Sequence, residues 1–342
     1  MSLKIAIIGA GWYGCHIGSS LLQKGHEVTI FEKSASTISG ASKRNQNRLH
    51  LGFHYPRDHE TRIQSKTGFN WFIEHYGHLT ESIENNYYAV AEKNSYIDFE
   101  TYKIIMKGTG VSFSEIKNKD FDELSDLLVC DERVIRNDLA ANYFNQILNS
   151  NLRLNTYVDL TNENVLSVMK QKFDYVIDCS WGTAKKIEGI DYYYEPCIYF
   201  YYKKKEHVEK FALTIMDGKH YSLYPYFDDI YTLTSVEHTP LGQFSNFNDA
   251  IKELSRFKAG FEEGKEKRAI FEQEFSKYYS GFLNDFTFDS PEYSMKTKVK
   301  STTDFRGCLV QKNENLISVF SGKIDTLHIA ELKIMEMIEG DY

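Results

Sequence analysis

Residues Lys4–Ile8 (KIAII) form a short, unbroken apolar run, the pattern of a strand buried on both faces of a parallel sheet. Glycines interrupt the run at Gly9-Ala-Gly11-Trp12-Tyr13-Gly14. Ile17, Leu21 and Leu22 then recur at helical spacing until Gly25 stops them, and Val28–Phe31 predicts a second strand closed by Glu32. The stretch from Ser39 to Pro56 is polar and shows neither period, and Asp58 is placed to cap a helix running to about Tyr76. Beyond it the pattern predicts a short strand in YYAVAE from Tyr87 and a helix near Ile97–Met106. A helix over Asn137–Leu148 follows, with Leu139, Tyr143, Ile147 and Leu148 on one side, and then a strand over Leu152–Val158. Tyr192–Tyr202, His220–Tyr226 and Ile230–Glu237 read as strands of an antiparallel sheet, with Asp228-Asp229 as a turn. Ala250–Phe282 is charged and periodic and predicts one or two surface helices. No internal repeat or low-complexity linker separates these elements.

The first strand–glycine turn–helix–strand unit carries a chemical meaning beyond its fold. In a dinucleotide-binding unit Gly9 permits the tight turn out of the strand, Gly11 lets a pyrophosphate approach the backbone, and Gly14 lets the helix pack closely on the sheet. The helix N-terminus offers free N–H groups and a partial positive charge to the phosphates. Trp12 and Tyr13 between the glycines, and Lys33 beside Glu32, fall within reach of the same ligand. Glu32 is placed to accept hydrogen bonds from ribose hydroxyls, and its charge disfavours a 2′-phosphate. The plain alternative is a glycine-rich turn in an ordinary βαβ unit. The flanking strand and helix, with an acid at the expected distance, argue against it.

With 342 residues and 42% hydrophobic content, the chain is long enough for two sizeable cores. Its formal charge of -8, without a basic stripe, makes it a poor nucleic-acid binder. The cysteines (Cys15, Cys130, Cys179, Cys197, Cys308) are scattered, without a CxxC, and predict reduced thiols in a cytosolic protein. The apolar run after Lys4 is too short for a signal peptide, and no stretch approaches the roughly 20 apolar residues of a membrane span. These features predict a cytoplasmic enzyme acting on a small-molecule substrate. Aromatics reach 15%, enough to furnish a ligand pocket, although a Tyr-rich sheet and core account for most of them.

The segment after the second strand favours FAD over NAD. A simple nicotinamide enzyme would continue into a helix, whereas Ser39–Pro56 is a donor-rich loop. Its Ser42, Asn45, His50, Gly52 and Tyr55 resemble the Ser-x-x-Asn and His-x-Gly-x-x-Tyr elements of the D-amino-acid-oxidase-like family of FAD-dependent oxidoreductases. The RLHLGFHYPR stretch is most similar to FAD oxidoreductases of bacterial surface-polysaccharide loci. Phe173–Gly182 resembles the family's later FAD-domain strand, which places Cys179, Ser180 and Gly182 near the cofactor. Ile317–Thr326 resembles its final flavin-contacting turn, where Gly322, Lys323 and Ile324 occupy the contacting places. A helix N-terminus or Lys323 there would stabilise the reduced, anionic flavin. The resemblance also places Ser42, Arg44, Asn45 and Val158 at the cofactor. It implies an α/β fold: a discontinuous Rossmann-type FAD-binding domain (1–80, 131–188 and 300–342) plus an antiparallel-sheet substrate domain (81–130 and 189–299).

For catalysis, His50 is placed to act as a base on a substrate O–H or N–H, and is as well placed simply to hold the loop. His54 stands where an aromatic is common. The spacing of the two histidines invites a metal, but a zincin needs Glu where Leu51 stands, and the segment is not helical, so no metal is expected. Arg306 could clamp a substrate carboxylate or phosphate; Arg44 and Arg48 could do the same or bind FAD phosphates, with surface ion pairs as the plain alternative. Alternation turns some of Tyr224, Tyr226 and Tyr231 into a pocket and the others into the core. Tyr199-x-x-x-Lys203 resembles a dehydrogenase pair, but it lies in a predicted strand, where it cannot converge. His75 and His78 read as surface residues at a helix end. The reaction implied is oxidation of a CH–OH or CH–NH2 group by hydride transfer to flavin N5. A flavin isomerase acting on a sugar nucleotide and an NAD-dependent dehydrogenase are the rival readings.

Overall fold

The computed structural model describes residues 1–300 and 307–340. The chain folds into a mixed α/β structure with parallel and antiparallel sheets. A six-stranded sheet runs in the order Leu309–Asn313, Leu316–Phe320, Tyr175–Asp178, Lys4–Ile8, Glu27–Phe31, Leu152–Arg153. All its pairings are parallel except that of Leu309–Asn313 with Leu316–Phe320. Ile5, Ala6 and Ile7 are wholly buried, as an apolar run covered on both faces requires. Ile5 and Ile7 join the large core beneath helix Trp12–Gln23, whereas Ala6 and Ile8 face a smaller core with Leu166 and Met169 of helix Glu163–Lys172. The expected strand Leu152–Val158 is only two residues long, Leu152–Arg153. Asn155 turns to a positive φ of 53° and ends the pairing, and Val158 is buried in the smaller core instead.

An eight-stranded sheet runs in the order Phe286–Val299, Tyr192–Lys204, Ile230–Ser235, Tyr221–Phe227, Phe211–Met216, Asn85–Val90, Leu127–Val129, Ser114–Ile116. It is antiparallel apart from one pair, Phe211–Met216 with Asn85–Val90, which runs parallel. Alternation divides its faces cleanly. Ala89, Phe200, Tyr202, Leu213, Tyr221, Leu223, Tyr231 and Leu233 pack with Phe271, Phe275 and Phe282 into one apolar core. The opposite face carries Asn86, Tyr88, Ser222, Tyr224, Tyr226 and Thr232, and the polar loop after Ser39 lies against it. Gln46 donates to Thr232 Oγ1 at 3.1 Å, and Tyr226 donates to the Lys43 carbonyl at 3.1 Å. The charged segment forms two helices, Phe247–Ala259 and Phe261–Phe275, and the expected turn has Asp228 at a positive φ of 48°.

A small three-stranded sheet (Arg48–Leu49, Arg133–Ile135, Thr80–Ser82) was not foreseen inside the loop. It pairs Leu49 with Arg133 and so brings residue 132 beneath His50. Helix His59–Tyr76 starts where expected: the Asp58 carboxylate accepts the Thr61 amide at 2.7 Å. Asp58→Ala is expected to cost about 1 kcal/mol of stability, read as a lower urea midpoint at unchanged slope. Among the described residues no helix is long and apolar enough to cross a membrane.

Candidate active site

The glycine turn sits at the carboxyl ends of the parallel strands. Gly9 N donates to Phe31 O at 2.7 Å and Cys179 N to Ile8 O at 2.9 Å, so three strand ends converge there. Glu32 accepts the Ala10 amide at 2.8 Å and the Ser34 amide at 2.8 Å, which fixes the carboxylate beside the turn. Ser42 comes over the helix start: its Oγ accepts the Trp12 amide at 3.2 Å and would lie 2.9 Å from a Cβ at Gly11. Nothing larger than glycine fits at Gly14, where a Cβ would stand 1.9 Å from the Gly9 carbonyl oxygen. A bare backbone turn, first-turn amides without partners inside the helix and a carboxylate at the next strand end are what a dinucleotide requires, so these residues fit FAD.

Two other segments reach the same place. Cys179 and Ser180 leave their strand beside Gly9, and the Gly182 carbonyl is held by the Tyr194 hydroxyl at 2.6 Å. The Trp181 ring lies against Gly322, with its buried indole nitrogen unpartnered. Tyr13 ties the first helix to the C-terminal turn by donating to the Lys323 carbonyl at 2.5 Å. Ile324 opens a short 3-10 turn that leads into helix Leu327–Glu339.

Several expected contacts are reshaped. The Trp12 indole points into the core against Phe72, Tyr76 and Phe144 and donates to Asn137 Oδ1 at 2.7 Å, while its backbone amide is the one that Ser42 accepts. The Lys323 ammonium is buried, bonded to Ser65 and 3.1 Å from Asp325, and lies over the Tyr55 ring. Its charge is therefore already partnered. Arg44 lies on the surface 3.8 Å from Glu292, as its plain alternative had it. Asn45 holds the loop, with its amide on the Ala41 and Ser42 carbonyls and its Oδ1 on the Asn47 amide. Lys33 is exposed. Arg306 lies outside the described residues. His75 and His78 are exposed, and Tyr199 and Lys203 share a strand.

Beyond Asn45 the loop enters a buried polar cluster. Arg48 is buried, donates to Tyr88 at 3.2 Å and Ser222 at 2.5 Å, and lies over the Tyr224 ring at 3.9 Å. Tyr88 donates onward to Glu132 Oε2 at 2.6 Å, and Glu132 Oε1 accepts the Leu51 amide at 2.8 Å. Burial alone would raise the Glu132 carboxyl. The positive charges of His50 and Arg48 and the Tyr88 hydrogen bond outweigh it and hold the group at about 2. His50 Nδ1 lies 3.6 Å from Glu132 Oε2, within electrostatic reach but beyond a hydrogen bond. The His54 ring stands 5.3 Å from that of His50, and burial, reinforced by His50 and Arg48, pushes its pKa well below the ordinary histidine value. Tyr224 thus belongs to the cluster, while Tyr231 faces the apolar core. Glu132 escaped the sequence reading because nothing local marks it; only the pairing of Leu49 with Arg133 brings it here.

Comparison with known proteins agrees with this architecture. Residues 4–120 match the family model "FAD dependent oxidoreductase" (DAO). The chain is 36% identical to the FAD-dependent monooxygenase FPY4 of Fusarium mangiferae, over 99% of this chain and 92% of that protein. It is 26% identical to the FAD-dependent monooxygenase kojA of Aspergillus flavus, over 98% and 86% respectively. These relatives are fungal monooxygenases, which corrects the expected tie to bacterial surface-polysaccharide loci. Glycine oxidase from Geobacillus kaustophilus superposes with a TM-score of 0.68 at 12% identity, over 99% of this chain and 95% of that one. L-α-glycerophosphate oxidase from Mycoplasma pneumoniae, solved with FAD bound, gives 0.66 at 11%, over 99% and 95%. The chain belongs to the DAO family of FAD-dependent oxidoreductases.

Proposed function

We propose that the chain oxidises a CH–NH2 or CH–OH group of a small polar substrate to an imine or a ketone, in a site roofed by the polar face of the eight-stranded sheet. In this reading residues 81–130 and 189–299 form the substrate domain. FAD, when bound, supplies the hydride acceptor. Gly9, Gly11, Gly14 and Ser42 would hold its pyrophosphate and Glu32 its ribose, with the Cys179–Gly182 and Gly322–Ile324 turns flanking it.

The observation that carries the reading is the His50 ring. It is half-buried, with its buried Nδ1 unpartnered and 3.6 Å from Glu132 Oε2. At Nε2 it takes the heteroatom proton as the substrate's C–H bond breaks. His54, kept neutral by burial, lets a second charge be avoided beside it. Tyr224 and Tyr88 are wholly buried around Arg48 behind the ring.

Anaerobic mixing of the FAD-loaded protein with a panel of amines, amino acids, hydroxy acids and sugar alcohols tests this. At least one class is expected to bleach the flavin absorbance, and His50→Gln to slow that bleaching about 10²-fold. If no member of any class bleaches it, the reading fails. The names of the fungal relatives favour a second reading, in which one atom of O2 enters the substrate. There bleaching would need a nicotinamide reductant rather than the substrate, and 18O from O2 would appear in the product.

A further inference from the structure

Glu132 is a wholly buried carboxylate pinned from three directions. Leu51 N donates to one oxygen at 2.8 Å, Tyr88 to the other at 2.6 Å, and Asn86 holds the residue's own carbonyl at 2.7 Å. Arg48 reaches it only through the Tyr88 hydroxyl. Facing the carboxylate across 3.6 Å is His50 Nδ1, a buried ring nitrogen with no hydrogen-bond partner. An immobile carboxylate opposite an unpartnered imidazole nitrogen favours one arrangement. A lone pair on Nδ1 would be repelled by the oxygen, whereas an N–H would be attracted and could close the gap by a small ring rotation.

We propose that Glu132 is the positioning residue for His50: it fixes the imidazole proton on Nδ1 and so leaves the Nε2 lone pair facing the substrate. The proposal rests on the reading of His50 as the base, since a ring with its proton on Nε2 could not accept one there. The other groups around this pair do not reverse the preference. Arg48, His54 and Tyr55 come from the same loop, Tyr88 from strand Asn85–Val90, Tyr102 from helix Phe99–Thr109, Tyr224 from strand Tyr221–Phe227, Cys130 from beside Glu132, and Lys323 from the C-terminal turn. Tyr88 donates to Glu132, and Arg48 donates to Tyr88 and Ser222. None of those three bonds is made to the His50 ring.

The test needs no substrate. In FAD-loaded protein with 15N-labelled histidine, the ring nitrogens of His50 are assigned by their loss in His50→Gln and read by NMR at alkaline pH. The wild type is expected to show His50 mainly with its proton on Nδ1. Glu132→Gln is expected to shift the tautomer ratio at least about fivefold toward the proton on Nε2. Tyr88→Phe frees the oxygen that faces His50 and is expected to retain the Nδ1 proton. A wild-type ring protonated on Nε2, or an unchanged ratio in Glu132→Gln, overturns the proposal. Should Glu132→Gln fail to fold, the wild-type and Tyr88→Phe spectra still decide. Failure here leaves flavin bleaching by substrate untouched, so the two readings fall separately.

Discussion

Replacing Gly14 with alanine is expected to give protein without bound FAD, colourless after purification and unable to regain the flavin absorbance when FAD is added. The added Cβ would stand 1.9 Å from the Gly9 carbonyl oxygen, 3.0 Å from its carbon and 3.3 Å from Ile7 Cγ2. The first two are backbone atoms at the end of a strand paired on both sides, so no side-chain rotation relieves the contact. Either the helix start lifts off the sheet or the turn opens, and each displaces the amides that would meet the pyrophosphate. Overpacking typically costs about 1–3 kcal/mol, and a backbone clash belongs at the top of that range or above it. Gly11→Ala supplies the contrast. Its Cβ would meet only the Ser42 hydroxyl at 2.9 Å, which can rotate away, so weakened binding rather than none is expected. Full flavin content in Gly14→Ala would mean that the cofactor does not lie over this turn.

How far the sequence reveals this site depends on how local each feature is. The glycine turn, Glu32 and the Asp58 cap are encoded within a few residues of themselves and were legible. Alternation told that tyrosines on the Tyr221–Phe227 and Ile230–Ser235 strands would divide, but not which way. That depends on which face the helix Phe261–Phe275 covers, and it takes Tyr231 and leaves Tyr224. Trp12 lies within a cofactor motif, yet its ring is claimed by Phe72 and Phe144 from two distant helices. Lys323 looked like a free charge for the flavin edge until Ser65 and Asp325 closed on it. Glu132 is the extreme case, because its role exists only through a two-residue strand in what reads as an irregular loop. The relation to fungal monooxygenases was not legible either: the RLHLGFHYPR stretch marks the loop and its family, not the chemistry of a branch.

Arg48→Met is expected to destabilise the fold by about 3 kcal/mol at neutral pH, with much less of that loss at acid pH. The substitution keeps much of the aliphatic stem against Tyr224 but removes a buried cation from a cluster whose anion, Glu132, stays wholly buried. Breaking such a charge balance leaves an uncompensated ion, and the cost of about 3–5 kcal/mol for a direct pair is reduced here because Tyr88 mediates the contact. The pH dependence follows from Glu132. Its folded value of about 2 lies below the ordinary 4.5, so its stabilisation is present above about pH 4.5 and is lost as pH falls toward 2. Without Arg48 the folded value climbs, and the variant has less stability to lose across that window. Urea unfolding of both proteins at pH 7 and pH 3, inside that window, measures this: the gap between their midpoints should narrow on acidification. A constant gap would assign the cost to lost packing against Tyr224 rather than to charge. Because Tyr88 links Arg48 to the oxygen facing His50, a charge-dependent gap would also mean that the cluster holding the base acts electrostatically as one unit.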